Sequence, residues 1–259
     1  MATNSSTKRS VHTSIVSTCR SLIDFLLPVR CPLCDAEDFE AGPGCLYCPQ
    51  CEEELCPEPL NRCERCAAEI GPYAKSDDGC VHCRQRILRF DSVTCLGMYD
   101  ESLRTALLSA KWSFSAVRMK ALGRLLATHR MTELKATEVD LIVPIPHSWR
   151  QRLVRHFNPA WIVAMELAGE LSRPCDANFL FRTRPTRPQK RVSVSQRFEN
   201  QSKSIGLRGP DRVTGKRILV VDDVLTTGAT ISEAARELKA AGAASVHAAV
   251  VARVLDHSA

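Results

Sequence analysis

Two adjacent carboxylates, Asp222 and Asp223, stand just ahead of a hydroxyl-rich turn made of Thr226, Thr227, Gly228, Ala229 and Thr230. Carboxylates accept hydrogen bonds from paired hydroxyls and attract a hard divalent cation. A turn that opens a helix suits the opposite charge. Its N–H groups and the positive end of the helix dipole hold an anion, a glycine allows close approach, and threonine hydroxyls add donors. Together the two halves describe a sugar phosphate, with ribose hydroxyls and Mg²⁺ at the acids and phosphate at the turn. Paired aspartates alone are equally consistent with helix capping, and threonine-rich turns are common in loops. The specificity comes from the order strand, acids, turn, helix.

The elements that must position these groups are legible around them. Ile218, Leu219, Val220 and Val221 form a continuous apolar run, the signature of a strand covered on both faces of a parallel sheet. Asp222 and Asp223 fall at its carboxyl end, where open α/β sheets bind ligands. Ile231, Ala234, Ala235, Leu238 and Ala241 then recur at helical spacing, with Gly242 as a stop. Upstream, Leu103 to Leu134 reads as helical with a break near Trp112 to Ser115, Asp140 to Pro146 as a strand, Pro159 to Leu171 as a helix and Phe179 to Arg182 as a short strand. Ser245 to Val254 is the final strand. Such alternation predicts an α/β fold, a parallel sheet flanked by helices.

Two segments carry the cations that an anionic ligand needs. Between Arg150 and Arg197 there are ten basic residues and three acids. Pro144 to Asn158 leaves a strand end and includes Arg155, and guanidinium groups there suit a pyrophosphate through paired, charge-assisted bonds. The alternative is a solvated helix face. Arg182 to Asn200 has too few large apolar residues for a core, so it reads as a disordered stretch or as a lid whose Arg184, Arg187 and Arg191 could close over pyrophosphate.

Thirteen cysteines, all but Cys175 in the first half of the chain, mark that half as something else. Cys31/Cys34, Cys48/Cys51, Cys63/Cys66 and Cys80/Cys83 form four CxxC pairs, and each pair offers two thiolates to a tetrahedral Zn²⁺. The simplest assignment is sequential, Cys31 to Cys51 and Cys63 to Cys83. An interleaved assignment stays open, and Cys45/Cys48 is an equally valid pair by spacing, with Cys48/Cys51 preferred. A redox or disulfide cluster is the competing reading. Cys19, Cys56, Cys95 and Cys175 read as small hydrophobes, and His82 as a spectator. From Cys31 to Asn61 there are eight acids and no Lys or Arg, which disfavours nucleic acid at the first ribbon. The second carries Arg62, Arg65, Arg84, Arg86 and Arg89 in or beside it and is the better candidate for a partner.

With 259 residues and 44% hydrophobic composition, the chain can bury one substantial core and carry an appendage. Residues 1–30 read as a tail with a short amphipathic helix (Ile15 to Leu27) that packs on the body, 31–90 as a double zinc ribbon, and 91–259 as the ligand domain. No apolar run approaches the about 20 residues that span a bilayer, and the N-terminus lacks a signal-peptide pattern, so a cytoplasmic location is expected.

The turn Thr226 to Thr230, with the acids before it, resembles the phosphoribosyl pyrophosphate (PRPP) loop of type I phosphoribosyltransferases. Over nearly the whole chain, from CPLC at Cys31 to VVAR at Arg253, the sequence resembles the ComF family of competence-related, phosphoribosyltransferase-like proteins with an N-terminal double zinc ribbon. Lys111, DLIVPIP, Arg155, Phe157 and Asn158, and Arg182, Thr186, Gln189, Ser193, Arg197 and Asn200 also match. The resemblance implies a type I phosphoribosyltransferase-like sheet and PRPP with Mg²⁺ at Asp222, Asp223 and residues 226–230. It also implies Arg155, Arg184 and Arg191 at departing pyrophosphate, structural Zn²⁺, and a link to single-stranded DNA and other competence proteins. Where the family usually reads RGFNQ, this chain has His156 and Pro159, which puts pyrophosphate contact in question there. Proline is also suited to begin the following helix.

Overall fold

The structure is a computed structural model that describes residues 30–37, 39–40, 46–58, 61–71, 73, 79–112, 116–147, 157–184 and 194–255. Ile15 to Leu27, Cys19 and Cys45 lie outside them. Strands β1 (Ser92–Met98), β2 (Leu141–Pro144), β5 (Arg217–Leu225) and β6 (Ser245–Arg253) form a wholly parallel sheet in the order β1-β6-β5-β2. Strands β3 (Leu180–Arg182) and β4 (Ile205–Leu207) make a separate antiparallel pair. The helices are α1 (Pro49–Leu55), α2 (Glu101–Trp112), α3 (Val117–His129), α4 (Met131–Ala136), α5 (Pro159–Leu171), α6 (Val194–Gln201) and α7 (Ala229–Ala240).

Side-chain alternation along the strands divides the interior into two cores. Leu219 and Val221 of β5 face α2, α3 and α5, with Leu103, Leu107, Leu122 and Val163 among their neighbours. Ile218 and Val220 face the opposite side, with Ile231 and Leu238 of α7 and Leu180 and Ile205 of the antiparallel pair. Both faces are covered, which is why β5 reads as a continuous apolar run.

Several expectations change in detail. The long helical stretch breaks where expected, and again at Arg130 between α3 and α4. Arg130 is buried and donates to the carbonyls of Leu96 (2.9 Å) and Pro57 (2.8 Å), so the chain turns there to deliver a guanidinium. The strand expected at Ile218 to Val221 continues to Leu225, because β6 keeps pairing with it as far as Arg253. Strand β1 and helix α1 are additions to the sequence reading. So is α6, which packs on α7 within a stretch read as lid or disorder.

The cysteine pairs assemble sequentially. Cys31, Cys34, Cys48 and Cys51 gather in one cluster and Cys63, Cys66, Cys80 and Cys83 in another, the sulfurs of each within 4.8 Å of one another. Sulfur separations are 3.6 Å for Cys34–Cys48, 3.6 Å for Cys66–Cys80 and 3.8 Å for Cys63–Cys83. Sulfurs about 2.3 Å from a tetrahedral Zn²⁺ stand about 3.8 Å apart, whereas a disulfide requires about 2.05 Å. The two clusters therefore fit two structural zinc sites. His82 belongs to neither cluster, while Cys56 and Cys95 are buried and Cys175 partly so, in line with an apolar role.

Each cluster is continuous with a different core. Cys31, Cys48 and Cys51 pack through Leu55 into the α2/α3 side, and Cys63, Cys66, Cys80 and Cys83 join the α7 side. Between them the chain covers the outer edge of β1: Val93 N–H donates to the Glu64 carbonyl at 3.1 Å, and Arg62 donates to the Cys95 carbonyl at 2.8 Å. An edge covered in this way presents no row of unpaired groups to another strand.

Metal analysis of the purified chain should find two zinc per chain, and Cys34→Ser or Cys80→Ser should each remove about one. A metal-free protein with unchanged thermal stability would contradict the assignment.

Candidate functional site

Strand β2 ends at Pro144, opposite Val221, while β5 runs on beside β6 to Leu225. Asp222 and Asp223 therefore emerge where β5 has lost its neighbour on one side. Continued alternation turns the two carboxylates to opposite faces of the sheet. Asp223 meets α2, where Lys111 Nζ lies 2.6 Å from its Oδ2. Asp222 turns toward the antiparallel pair and Arg182, and its Oδ1 accepts the Asp223 backbone N–H at 2.9 Å. Burial first, and the neighbouring Asp223 carboxylate second, push the Asp222 carboxyl up to about 8, while Arg182 pulls it back.

Lys111 reaches this position because of its helix. Asp100 Oδ1 accepts the Leu103 N–H at 2.9 Å and so caps the start of α2. Leu103, Ala106, Leu107 and Ala110 form its buried stripe, and Lys111, one turn after Leu107, continues that stripe to the sheet end.

The turn after β5 has the geometry that its composition suggests. Gly228 is the residue preceding α7, with φ +81°, and a Cβ there would lie 3.0 Å from Leu88 Cδ2. Both the backbone conformation and the close approach call for glycine. Thr227 is buried and its Oγ1 accepts the Ala229 N–H at 3.4 Å. Thr226, Ala229 and Thr230 complete a small hollow that also includes Asp222. The first N–H groups of α7 thus open beside a carboxylate, the arrangement of a site that holds phosphate at one end and hydroxyls at the other.

Of the three arginines expected at pyrophosphate, Arg155 and Arg191 lie outside the described residues, as do Arg187, His156, Thr186, Gln189 and Ser193. Arg184 is exposed and donates to the carbonyls of Ser202 (2.6 Å) and Asn200 (3.1 Å), so it serves the C-terminal end of α6. Among the described residues, Arg182 is an arginine whose charge acts on Asp222. It also donates to the Pro146 carbonyl at 3.2 Å and to Gln201 Oε1 at 2.8 Å, joining the segment after β2 to the end of α6. Asn158 caps α5 by accepting the Ala160 N–H at 3.1 Å and donates to the Ile145 carbonyl at 3.0 Å. Pro159 occupies the first turn of α5, as expected of a helix-starting proline. Among the aromatics of the basic segment, Phe179 is fully buried beneath Arg212, whereas Trp161 is 40% exposed.

Sequence reasoning noted Lys111 without giving it a role and passed over Arg253. The available signals were a lysine continuing an apolar helical stripe and an arginine ending an apolar strand.

Residues 157–258 match the phosphoribosyl transferase domain family. Competence protein F of Haemophilus influenzae is 27% identical over 221 residues, which cover 82% of this chain and 92% of that protein. DNA utilization protein YhgH of Escherichia coli K12 is 29% identical over 196 residues, 74% of this chain and 84% of that one. Among solved structures, a purine phosphoribosyltransferase from Pyrococcus horikoshii aligns with 62% of this chain and 78% of its own, at 17% identity and a TM-score of 0.30. In described residues no helix is long and apolar enough to cross a membrane. The domain match, these relatives over most of the chain, the parallel sheet and the paired four-cysteine clusters bear out the resemblance to the ComF family, phosphoribosyltransferase-like proteins with an N-terminal double zinc ribbon.

Proposed function

We propose that the domain binds PRPP together with Mg²⁺, its 5-phosphate on residues 226–230 and its ribose hydroxyls at Asp222 and Asp223. The observation that carries this reading is the open end of β5, where a half-buried carboxylate and a helix N-terminus line one hollow. Gly228 and the α7 N–H groups bind the phosphate, while Asp222 accepts from a hydroxyl or holds a proton. Lys111 neutralises Asp223, and Arg182 holds the segment after β2 near the acids. Bound Mg²⁺ would offset charge on the pyrophosphate. Arg155 and Arg191 are proposed to meet that pyrophosphate from the two segments that flank the site. With those contacts in place the pyrophosphate could leave and a nitrogen acceptor take its position on the ribose, so phosphoribosyl transfer is part of the reading. A cytoplasmic setting, with domains at 31–90 and 91–259, completes it.

Calorimetry should detect Mg²⁺-dependent PRPP binding that Asp222→Asn and Asp223→Asn each weaken about tenfold or more, the scale of a hydrogen bond to a charged group. Unchanged affinity in both variants would overturn the assignment. The pH response has a definite sign. Asp222 keeps its proton in the folded state up to about 8, against 3.8 unfolded, so its contribution to unliganded stability is lost as pH rises through that window. If Mg²⁺ and PRPP select the ionised carboxylate, wild type releases about one proton more than Asp222→Asn on binding at pH 7. The difference should vanish at pH 9, and its persistence there would contradict the role of Asp222.

A second reading rests on the relatives' names, which refer to competence and DNA utilization. In it the chain handles single-stranded DNA, beside other competence proteins, along the basic segment from Arg150 to Arg197, with Trp161 as an available stacking surface. Affinity for a single strand should then fall steeply with salt and with Trp161→Ala. A flat salt response would eliminate it.

A further inference from the structure

Arg253 ends β6 and is only 2% exposed, and its guanidinium donates to several backbone carbonyls beside the Cys66 sulfur. Its Nε donates to the carbonyl of Cys66 in the second cluster at 2.9 Å. Its Nη1 donates to Leu225 at 3.1 Å, and also to Thr226 and Val254. One guanidinium thus grips a metal knuckle on one side and the root of the 226–230 turn on the other. A lysine ammonium could not span both with fixed geometry.

A buried cation needs an anion nearby. Four thiolates around Zn²⁺ carry a net charge of minus two, so the loaded second cluster supplies the countercharge for Arg253 and the empty, thiol-bearing cluster does not. Two further struts join the same parts. Ser232 of α7 donates to the Ile87 carbonyl and accepts from the Arg89 N–H, both at 3.0 Å. Leu88 and Phe90 lie directly against Gly228. The segment following Cys83 is therefore the floor beneath the turn. The first cluster packs on the other face of the sheet, through α1 against the α2/α3 side.

We infer that Arg253 is a positioning residue that couples metal loading of Cys63, Cys66, Cys80 and Cys83 to ligand binding at residues 226–230. Both events stabilise one geometry of the turn, so each strengthens the other, and the first cluster stands outside the coupling. This rests on the reading that the turn holds a sugar phosphate.

The test follows zinc release from the fully loaded chain under a chelator, with freed cysteines alkylated and located by mass spectrometry, in the presence and absence of ribose 5-phosphate. Saturating ligand should slow modification of Cys63, Cys66, Cys80 and Cys83 by about fivefold or more and leave Cys31, Cys34, Cys48 and Cys51 unchanged. Arg253→Lys should still hold two zinc and lose the selective protection, which a merely stabilising role for Arg253 would leave in place. Ligand that binds by calorimetry but protects both sets equally, or neither, overturns the coupling alone. Failure of ribose 5-phosphate to bind at all overturns the coupling and the phosphosugar reading together. Should Arg253→Lys fail to fold, the comparison of the two cysteine sets in wild type still decides.

Discussion

Strand β5 pairs with β6 as far as Leu225 but with β2 only as far as Val221, and the candidate site is built on that difference. Had β2 continued, Asp222 would lie between two strands, hemmed in by backbone. Because it stops, the acids stand at an opening while β6 still holds their strand rigid. The extended ladder also brings Arg253 opposite Leu225, which puts a guanidinium at the base of the turn that follows. A ligand arriving there meets groups fixed by sheet and helix, so little ordering cost falls on the protein side.

The sheet also explains how two small cysteine clusters are placed. Each would have too little apolar surface to fold without metal. Here each extends one of the two cores on either side of the sheet, and the linking chain covers the β1 edge. The clusters are therefore unlike neighbours. The first, in an acidic segment, packs on the side of α2 and α3. The second lies beneath the turn and its glycine.

Much of this was legible in the sequence because it depends on local order along the chain. Four CxxC pairs, an apolar run ending in two aspartates and a threonine-glycine turn each carry their chemistry within a few residues. What escaped depends on tertiary position. The partner of Asp223 comes from Lys111, far away in the chain, and strand alternation, not adjacency, separates the surroundings of Asp222 and Asp223. Arg182 and Arg184 look alike in a basic stretch, yet the charge of one acts on Asp222 and the other binds a helix end. Strand β1 was missed because SVTCLGM mixes small and polar residues that only burial between β6 and the ribbon linker makes strand-like.

The proposed binding mode stands or falls on the turn from Thr226 to Thr230 receiving a 5-phosphate. Its most direct test is a ¹H–¹⁵N chemical-shift titration of the zinc-loaded protein with ribose 5-phosphate. Saturable shifts are expected, largest at the amides of Thr227 to Thr230 and smaller at Asp222 and Asp223. Shifts that leave those amides unmoved, while other parts of the chain respond, would contradict it.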